Sequence, residues 1–216
     1  MSVINHYQVY NRRQQGLAET SRLILEFAGA NYENVFVEDW ERERDSTPLQ
    51  QLPVLRVMKE GGEWEQISES HTMERFLSVT LGLMGTMPLE MARMDMYHAA
   101  WTDMMSMFMW KVWRAPTDEL KRQGASDFWV EFPKFLKKHD LILKSTKGPF
   151  YSGPRPSLPD IYAFTWLNRF ITKWIPSPPD VITESNYPHI LGLWNGVRES
   201  EGIKKYIESK RWELPE

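Results

Sequence analysis

The sequence predicts an α/β amino-terminal domain with the element order β-α-β and then β-β-α, followed by an all-α domain. Three observations support this division. Strand-like stretches alternate with helical patterns up to about residue 80, whereas strand signals disappear after Pro88. Residues 81–88 follow neither the alternation of a strand nor the spacing of a helix, and they end in a proline suited to the first turn of a helix. We therefore place the two domains at residues 1–82 and 88–216.

Four strands and two helices make up the predicted first domain. The strand-like stretches are His6–Tyr10, Asn34–Val37, Pro53–Met58 and Trp64–Ile67. Between the first two strands, apolar and small residues from Leu17 to Ala28 share one helical face, and Gly29 follows as a candidate left-handed cap. The Gly61-Gly62 pair predicts a hairpin between the last two strands, and the second helix begins at Ser70.

The second domain is predicted to contain only helices. The helical stretches are Leu89–Trp113, Ala125–Lys144, Asp160–Trp174 and Tyr187–Glu199. Ser157 and Asp160 have the spacing of a capping box, in which each residue hydrogen-bonds the other's backbone at a helix start. We assign this pair to folding.

Composition excludes several classes of function. A net charge of −3 indicates no basic surface for nucleic acid. No apolar run reaches the roughly 18 residues that span a bilayer, and the start has no targeting pattern, so we expect a soluble, cytoplasmic protein. The absence of cysteine removes disulfides and protein thiolates. The five histidines are scattered without metal-ligand spacing, so we expect no metal and treat them as surface or local structural residues.

The order of motifs resembles the cytosolic glutathione transferases, closest to the tyrosine-type, sigma-like members. The resemblance covers the whole chain and depends on the following pieces: Leu52-Pro53-Val54-Leu55 at the third strand, Gly16-Leu17-Ala18-Glu19, Asp39-Trp40, Glu69-Ser70, and the stretch from Asp103 to Trp110. It implies a thioredoxin-like first domain, a helical second domain, glutathione as co-substrate, a homodimer and a role in detoxification.

The resemblance implies that a tyrosine at the end of the first strand hydrogen-bonds the glutathione sulfur. We predict Tyr10 for this role, although it stands six residues before Gly16 where the family usually has five, which suggests one inserted residue. Tyr7 is the second candidate, because residues an odd number apart on a strand face opposite sides; both tyrosines could also be packing residues. Leu17 replaces an arginine common in the family, and nearby arginines, Arg12 or Arg13, could compensate.

The resemblance also assigns residues to the two ends of glutathione. Pro53 is expected after a cis peptide bond, exposing the backbone of Leu52 to pair with the glutathione cysteine. Glu69 and Ser70 at a helix start suit the amine and carboxylate of the γ-glutamyl group.

Three further residues are expected at the glycine end of glutathione, namely Trp40, Arg44 and Gln51. The resemblance places Asp103 across a two-fold dimer, against the γ-glutamyl amine bound by the neighbouring subunit.

Three functions are compatible with these residues. The first is a transferase that conjugates the glutathione thiolate to a small hydrophobic electrophile, held against the methionine-rich stretch from Met84 to Met109. The second is a glutathione-dependent isomerase, such as a prostaglandin D synthase-like or pathway-specific enzyme. The third is a non-catalytic binding module with the same fold.

Overall fold

A computed structural model describes residues 6–172, 177–178 and 181–211 of the chain. The chain forms two compact units. The first contains the residues up to Leu83 together with those from Glu199 onward, and the second runs from Met84 to Arg198.

The first unit is built on a four-stranded sheet with the strand order β2-β1-β3-β4. Its strands are β1 (His6–Asn11), β2 (Tyr32–Phe36), β3 (Val54–Met58) and β4 (Trp64–Ser68). β2 is parallel to β1, and the other pairs are antiparallel. The helices of this unit are α1 (Glu19–Phe27), α2 (Trp40–Glu43), α3 (Ser70–Thr80) and α8 (Glu201–Glu208). The predicted β-α-β, β-β-α order is confirmed; α2, read from the sequence as part of a connection, was not predicted.

The two faces of the sheet differ in what covers them. Val9 and Leu55 are paired in the sheet, share one face and are fully buried. This face is the one toward α1, because Arg22 of α1 donates to Asn34, which is paired with Val9. Residues of the opposite parity, including Arg56, point to the other face. Alternate residues of β1 therefore face α1 and the opposite side of the sheet.

Glycines make the two tight turns that the sequence predicts. Gly29 follows α1 with φ of +62°, and its N–H donates to the carbonyl of Glu26. In the hairpin between β3 and β4, Gly61 and Gly62 have φ of +111° and +84°. These values lie in the region that glycine adopts without steric cost.

α8 packs against α1, whereas the sequence-based division places this segment with the helical domain. Gly202 permits the contact, because a Cβ built there would lie 1.9 Å from the carbonyl oxygen of Glu26. Tyr206 of α8 donates its hydroxyl hydrogen to the carboxylate of Glu19 in α1, at 3.2 Å. Non-local packing of this kind leaves no periodic signal within the segment itself.

The named secondary-structure elements in the described part of the second unit are all helices, as predicted. Its helices are α4 (Pro88–Phe108), α5 (Asp118–Lys144), α6 (Leu158–Ile171) and α7 (Pro188–Arg198), and α4 continues through a π-helical turn at Met109–Trp113. The predicted end of the third helix at Trp174 lies outside the described residues. Aromatic rings from three helices form the core, with Phe108, Phe128 and Phe170 in mutual contact. Among the described helices, none combines the length and the apolarity needed to span a membrane.

The predicted capping box is confirmed at the start of α6. The Asp160 carboxylate accepts hydrogen bonds from the Ser157 backbone N–H at 2.8 Å and from the Ser157 hydroxyl at 2.5 Å. Its other oxygen accepts from the backbone N–H of Tyr151. Burial raises the pKa of Asp160 to about 7, against the lowering effect of these hydrogen bonds.

Two of the histidines serve the core of the second unit. The His98 ring is fully buried edge-on against Tyr162, and His139 Nδ1 lies 2.5 Å from the Tyr151 hydroxyl. Burial lowers the pKa of His139 to about 4. Both rings are buried, so neither is a surface residue.

Substituting Gly124 with alanine should destabilise the protein by about 1 to 3 kcal/mol through overpacking. A Cβ there would lie 2.0 Å from the backbone oxygen of Lys111 in the π-helical turn. Gly192→Ala in α7 is the matched control, because its Cβ would meet nothing within 4 Å. The control should be neutral or slightly stabilising in urea unfolding. Equal midpoints for the two variants would contradict this account of the helix contact.

Asp160 should make stability fall as pH rises from about 4 to about 7. Because its pKa is raised in the folded state, the native protein holds the proton over this range while the unfolded chain releases it, and stability decreases with pH. Asp160→Asn should therefore show a shallower decline than the wild type in urea unfolding measured across this range. Parallel pH profiles would rule out the proposed titration.

Candidate functional site

At one end of the sheet, the strand register places Asn11, Pro53 and Glu69 side by side. Tyr10 is opposite Val54, and Val54 is opposite Ser68. Continuing each ladder by one residue places Asn11 opposite Pro53 and Pro53 opposite Glu69. Because neighbouring strands lie about 4.8 Å apart, the row is about 10 Å long. We call Asn11, Pro53 and Glu69 the strand-end row.

Pro53 occupies the centre of this row. The Leu52–Pro53 peptide bond is cis, which confirms the prediction for this bond. Pro53 is buried and Leu52 is half-buried, immediately before the ladder of β3 begins at Val54. Leu52 therefore presents its backbone next to the row and outside the regular pairing of β3.

Glu69 and Ser70 form the outer end of the row. Glu69 is exposed and has φ of +68°, in the region that residues with long side chains adopt rarely and mostly at functional sites. Its carbonyl accepts from the N–H groups of Thr72 and Met73, so the chain passes directly from β4 into α3. Ser70 is the first residue of α3 and is 8% exposed. The positive dipole end of this helix start, with the Ser70 hydroxyl, suits a carboxylate.

The residues predicted for the glycine end lie on or after α2. Trp40 begins α2 and is half-buried, whereas Arg44 and Gln51 are exposed. The segment is tied to the sheet because the Gln66 side chain of β4 donates to the carbonyl of Ser46 at 3.2 Å. An indole N–H, a guanidinium and an amide are thus available as donors along this segment.

Tyr10 does not present its hydroxyl to the face of Asn11. The hydroxyl donates to the carboxylate of Glu43 in α2, and the Arg56 guanidinium lies 4.0 Å from the centre of the Tyr10 ring. Burial and the hydrogen bond to Glu43 raise the pKa of Tyr10 to about 12. This hydroxyl is therefore bonded on the α2 side of the sheet, and the role predicted for Tyr10 at the glutathione sulfur stays a prediction.

Asn11, which the sequence reasoning missed, points to the opposite face from Tyr10. It is the last residue of β1, and its carbonyl accepts from the Val37 N–H. Asn11 is only 3% exposed, and its side-chain amide nitrogen has no hydrogen-bond partner among the described residues. One sequence signal pointed here: Asn11, not Tyr10, stands five residues before Gly16.

Tyr7, Arg12 and Arg13 are the remaining candidates for the sulfur site, and none of them belongs to the strand-end row. Tyr7 shares a face with Asn11, but four residues of strand separate their Cα atoms by about 13 Å. Arg13 is exposed, with its guanidinium 4.6 Å from the centre of the Phe36 ring, and Arg12 is exposed.

Asp103 lies in the second unit. It is exposed on α4, and its predicted contact is with a second copy of the chain. That contact stays a prediction.

A buried arginine supports the loop between β1 and α1. Arg22 is fully buried, and it donates to Glu19 at 2.9 Å and to Asn34 at 2.7 Å. It also donates to the carbonyls of Gln14 and Gln15, both at 3.2 Å. These bonds hold the loop that follows Asn11, so the position of the strand end depends on them.

Arg22→Met should destabilise the protein by about 3 to 5 kcal/mol, because it leaves the Glu19 carboxylate buried without its cation. Glu19→Gln combined with Arg22→Met should recover part of the loss. The matched control is Lys205→Met, which breaks the exposed Lys205–Glu201 pair of 2.6 Å and should leave the melting temperature unchanged. Similar losses of stability in Arg22→Met and Lys205→Met would contradict a special role for the buried pair.

Comparisons with known proteins agree with this architecture. A sequence profile for the glutathione S-transferase C-terminal domain matches residues 102–210. Glutathione S-transferase 1 of Ascaris suum is 34% identical over 203 residues, covering 91% of this chain and 92% of the relative. Glutathione S-transferase S1 of Drosophila melanogaster is 26% identical over 213 residues, covering 94% of this chain and 78% of the relative.

A solved structure shows the same fold over most of the chain. The crystal structure of the glutathione S-transferase from Ascaris lumbricoides matches with a TM-score of 0.79 at 25% identity, covering 94% of this chain and 97% of that chain. The profile match extends over half of the sequence, and the 34% identity extends over most of both proteins. This chain therefore belongs to the glutathione S-transferase family.

Proposed function

We propose that this protein binds glutathione along the strand-end row and conjugates its thiolate to a small hydrophobic electrophile. The observation that carries the proposal is the alignment of the cis-proline segment with Glu69 and the start of α3. Backbone groups at Leu52 and an anion-binding helix start lie side by side, which matches the backbone and the charged end of a small peptide. Because the chain has no cysteine, the thiol for this reaction must come from the ligand.

The binding mode follows from the chemistry of each end of the row. The γ-glutamyl carboxylate is held at the start of α3 by Ser70, and the Glu69 carboxylate takes the ammonium group. The cysteine of glutathione pairs with the backbone of Leu52, beside Pro53. The side chain of this cysteine then points toward Asn11, at the end of β1.

The glycine carboxylate is assigned to the donors that follow β2. Trp40 and Arg44 offer an indole N–H and a cation, and Gln51 adds an amide. Arg44 and Gln51 are exposed, so their hydrogen bonds form in contact with water. We therefore expect these residues to contribute less to affinity than the partly buried start of α3.

The reaction requires an ionised thiol. A free cysteine thiol has a pKa of about 8.5, so only a small fraction is thiolate at neutral pH. The thiol releases its proton to solvent, and the sulfur supplies both electrons of the new C–S bond. The leaving group, chloride in the case of chlorodinitrobenzene, departs with its bonding electron pair.

The assembly and cellular setting belong to the same proposal. Asp103, exposed on α4, is assigned to the γ-glutamyl amine held by a second copy of the chain, which makes the dimer part of the site. We infer a cytoplasmic detoxification enzyme. The electrophile is held by apolar residues of the second unit.

A second candidate function is a glutathione-binding module without turnover. The specific observation that favours it is that the Tyr10 hydroxyl is bonded to Glu43. Such a module would bind glutathione and leave chlorodinitrobenzene unchanged, whereas the transferase would consume both.

The wild-type protein should bind glutathione in isothermal titration calorimetry and should accelerate its conjugation to chlorodinitrobenzene. Formation of the conjugate is followed by absorbance. Absence of binding heat at millimolar glutathione would overturn the proposed function. Binding without conjugate formation would instead select the non-catalytic module.

Ser70→Ala should raise the dissociation constant for glutathione by roughly 10- to 100-fold, because a hydrogen bond to a charged carboxylate is lost. Ser126→Ala, at an exposed position of α5, is the matched control and should bind as the wild type does. Both constants are measured by calorimetry. An unchanged constant in Ser70→Ala would remove the carboxylate from the start of α3.

A further inference from the structure

We propose that the side-chain amide of Asn11, not the Tyr10 phenol, donates the hydrogen bond that stabilises the glutathione thiolate. This inference rests on the proposed function and deepens it, because it names the residue that faces the sulfur.

Asn11 stands at the position where the sulfur is expected. It is opposite Pro53 when the register of β1 and β3 is extended by one residue beyond Tyr10 and Val54. The cis bond that precedes Pro53 marks where the cysteine of glutathione is expected to pair with the backbone. A cysteine side chain at that point lies within the reach of a short side chain on the adjacent strand end.

The Asn11 amide also has an unused donor. Its nitrogen is buried without a hydrogen-bond partner among the described residues. A buried donor without a partner destabilises the folded protein, so most such groups are satisfied by protein, water or ligand. An acceptor supplied by the ligand satisfies this donor, and a thiolate sulfur at the strand end is such an acceptor.

The competing group, the Tyr10 hydroxyl, is oriented away from this position. Adjacent residues of a strand point to opposite faces, and the Tyr10 hydroxyl is bonded to Glu43 on the α2 side. For Tyr10 to reach the face of Asn11, the strand would have to shift by one residue, which would also invert the buried Val9. The packing of β1 therefore selects Asn11.

The chemistry of an amide limits what Asn11 can do. Its NH₂ group supplies two donors and has no proton to exchange near neutral pH, so it cannot act as a general acid or base. It lowers the pKa of the bound thiol by donating to the anion alone. The thiol proton leaves to solvent.

The test is the pKa of the thiol of bound glutathione, titrated through the ultraviolet absorbance of the thiolate in the wild type and three variants. Asn11→Leu keeps the branched shape of the side chain and removes the donor, and it should raise the thiol pKa by about 1 to 2 units. Asn11→Asp places an anion beside the sulfur and should raise it further. Tyr10→Phe should leave the thiol pKa at the wild-type value.

Stability provides a second, independent readout. If the unpartnered amide is kept for a ligand, Asn11→Leu should melt at the same or a higher temperature than the wild type when glutathione is absent. The increase in melting temperature caused by glutathione should be smaller in this variant. A purely structural Asn11 predicts the opposite, namely a lower melting temperature without ligand.

Each outcome has one meaning. A thiol pKa that stays at the wild-type value in the Asn11 variants overturns this inference and leaves the proposed function intact, whether or not it moves in Tyr10→Phe. Absence of glutathione binding in the wild type overturns both. If Asn11→Leu melts early, the Asn11→Asp titration decides, since a thiol pKa unchanged by a neighbouring anion places the sulfur elsewhere.

Discussion

Strand alternation at the end of β1 is the constraint on which the site depends. Val9 is fully buried toward α1, so Tyr10 must face α2 and Asn11 must face α1. The Tyr10 hydroxyl then meets Glu43, and the guanidinium of Arg56 lies over its ring. The arrangement cannot be changed locally, because a one-residue slip would move the apolar side chains of β1 out of the core.

The surrounding elements keep this strand end in place from two sides. Arg22 holds the loop after Asn11 through backbone carbonyls, and its own charge is balanced by Glu19. On the other side, Glu69 adopts a left-handed conformation that turns β4 into α3 without an intervening loop. Both features have an energetic cost, one through a buried charge and the other through backbone strain, and both position groups around the cis proline.

Much of the fold was predictable because its signals are local. The Gly61-Gly62 hairpin, the cap at Gly29 and the capping box at Ser157 and Asp160 depend on residues only a few positions apart. The π-helical turn after α4 and the attachment of α8 to α1 were not predictable. They depend on close approaches between different helices, at Gly124 against Lys111 and at Gly202 against Glu26.

The sequence by itself indicated the family, the element order and the helix-start motif, through residue types and their spacing along the chain, and it indicated the cis proline through the family resemblance. The tertiary structure alone decided which side chain at the end of β1 lies on the same face of the sheet as Pro53. The number of residues before Gly16 was compatible with Tyr10 at the sulfur site and one inserted residue in the following loop. Only the pairing of β1 with β3 showed that Asn11 lies opposite Pro53. The physical reason is that a strand has two faces, and which helix covers each face is decided by tertiary packing.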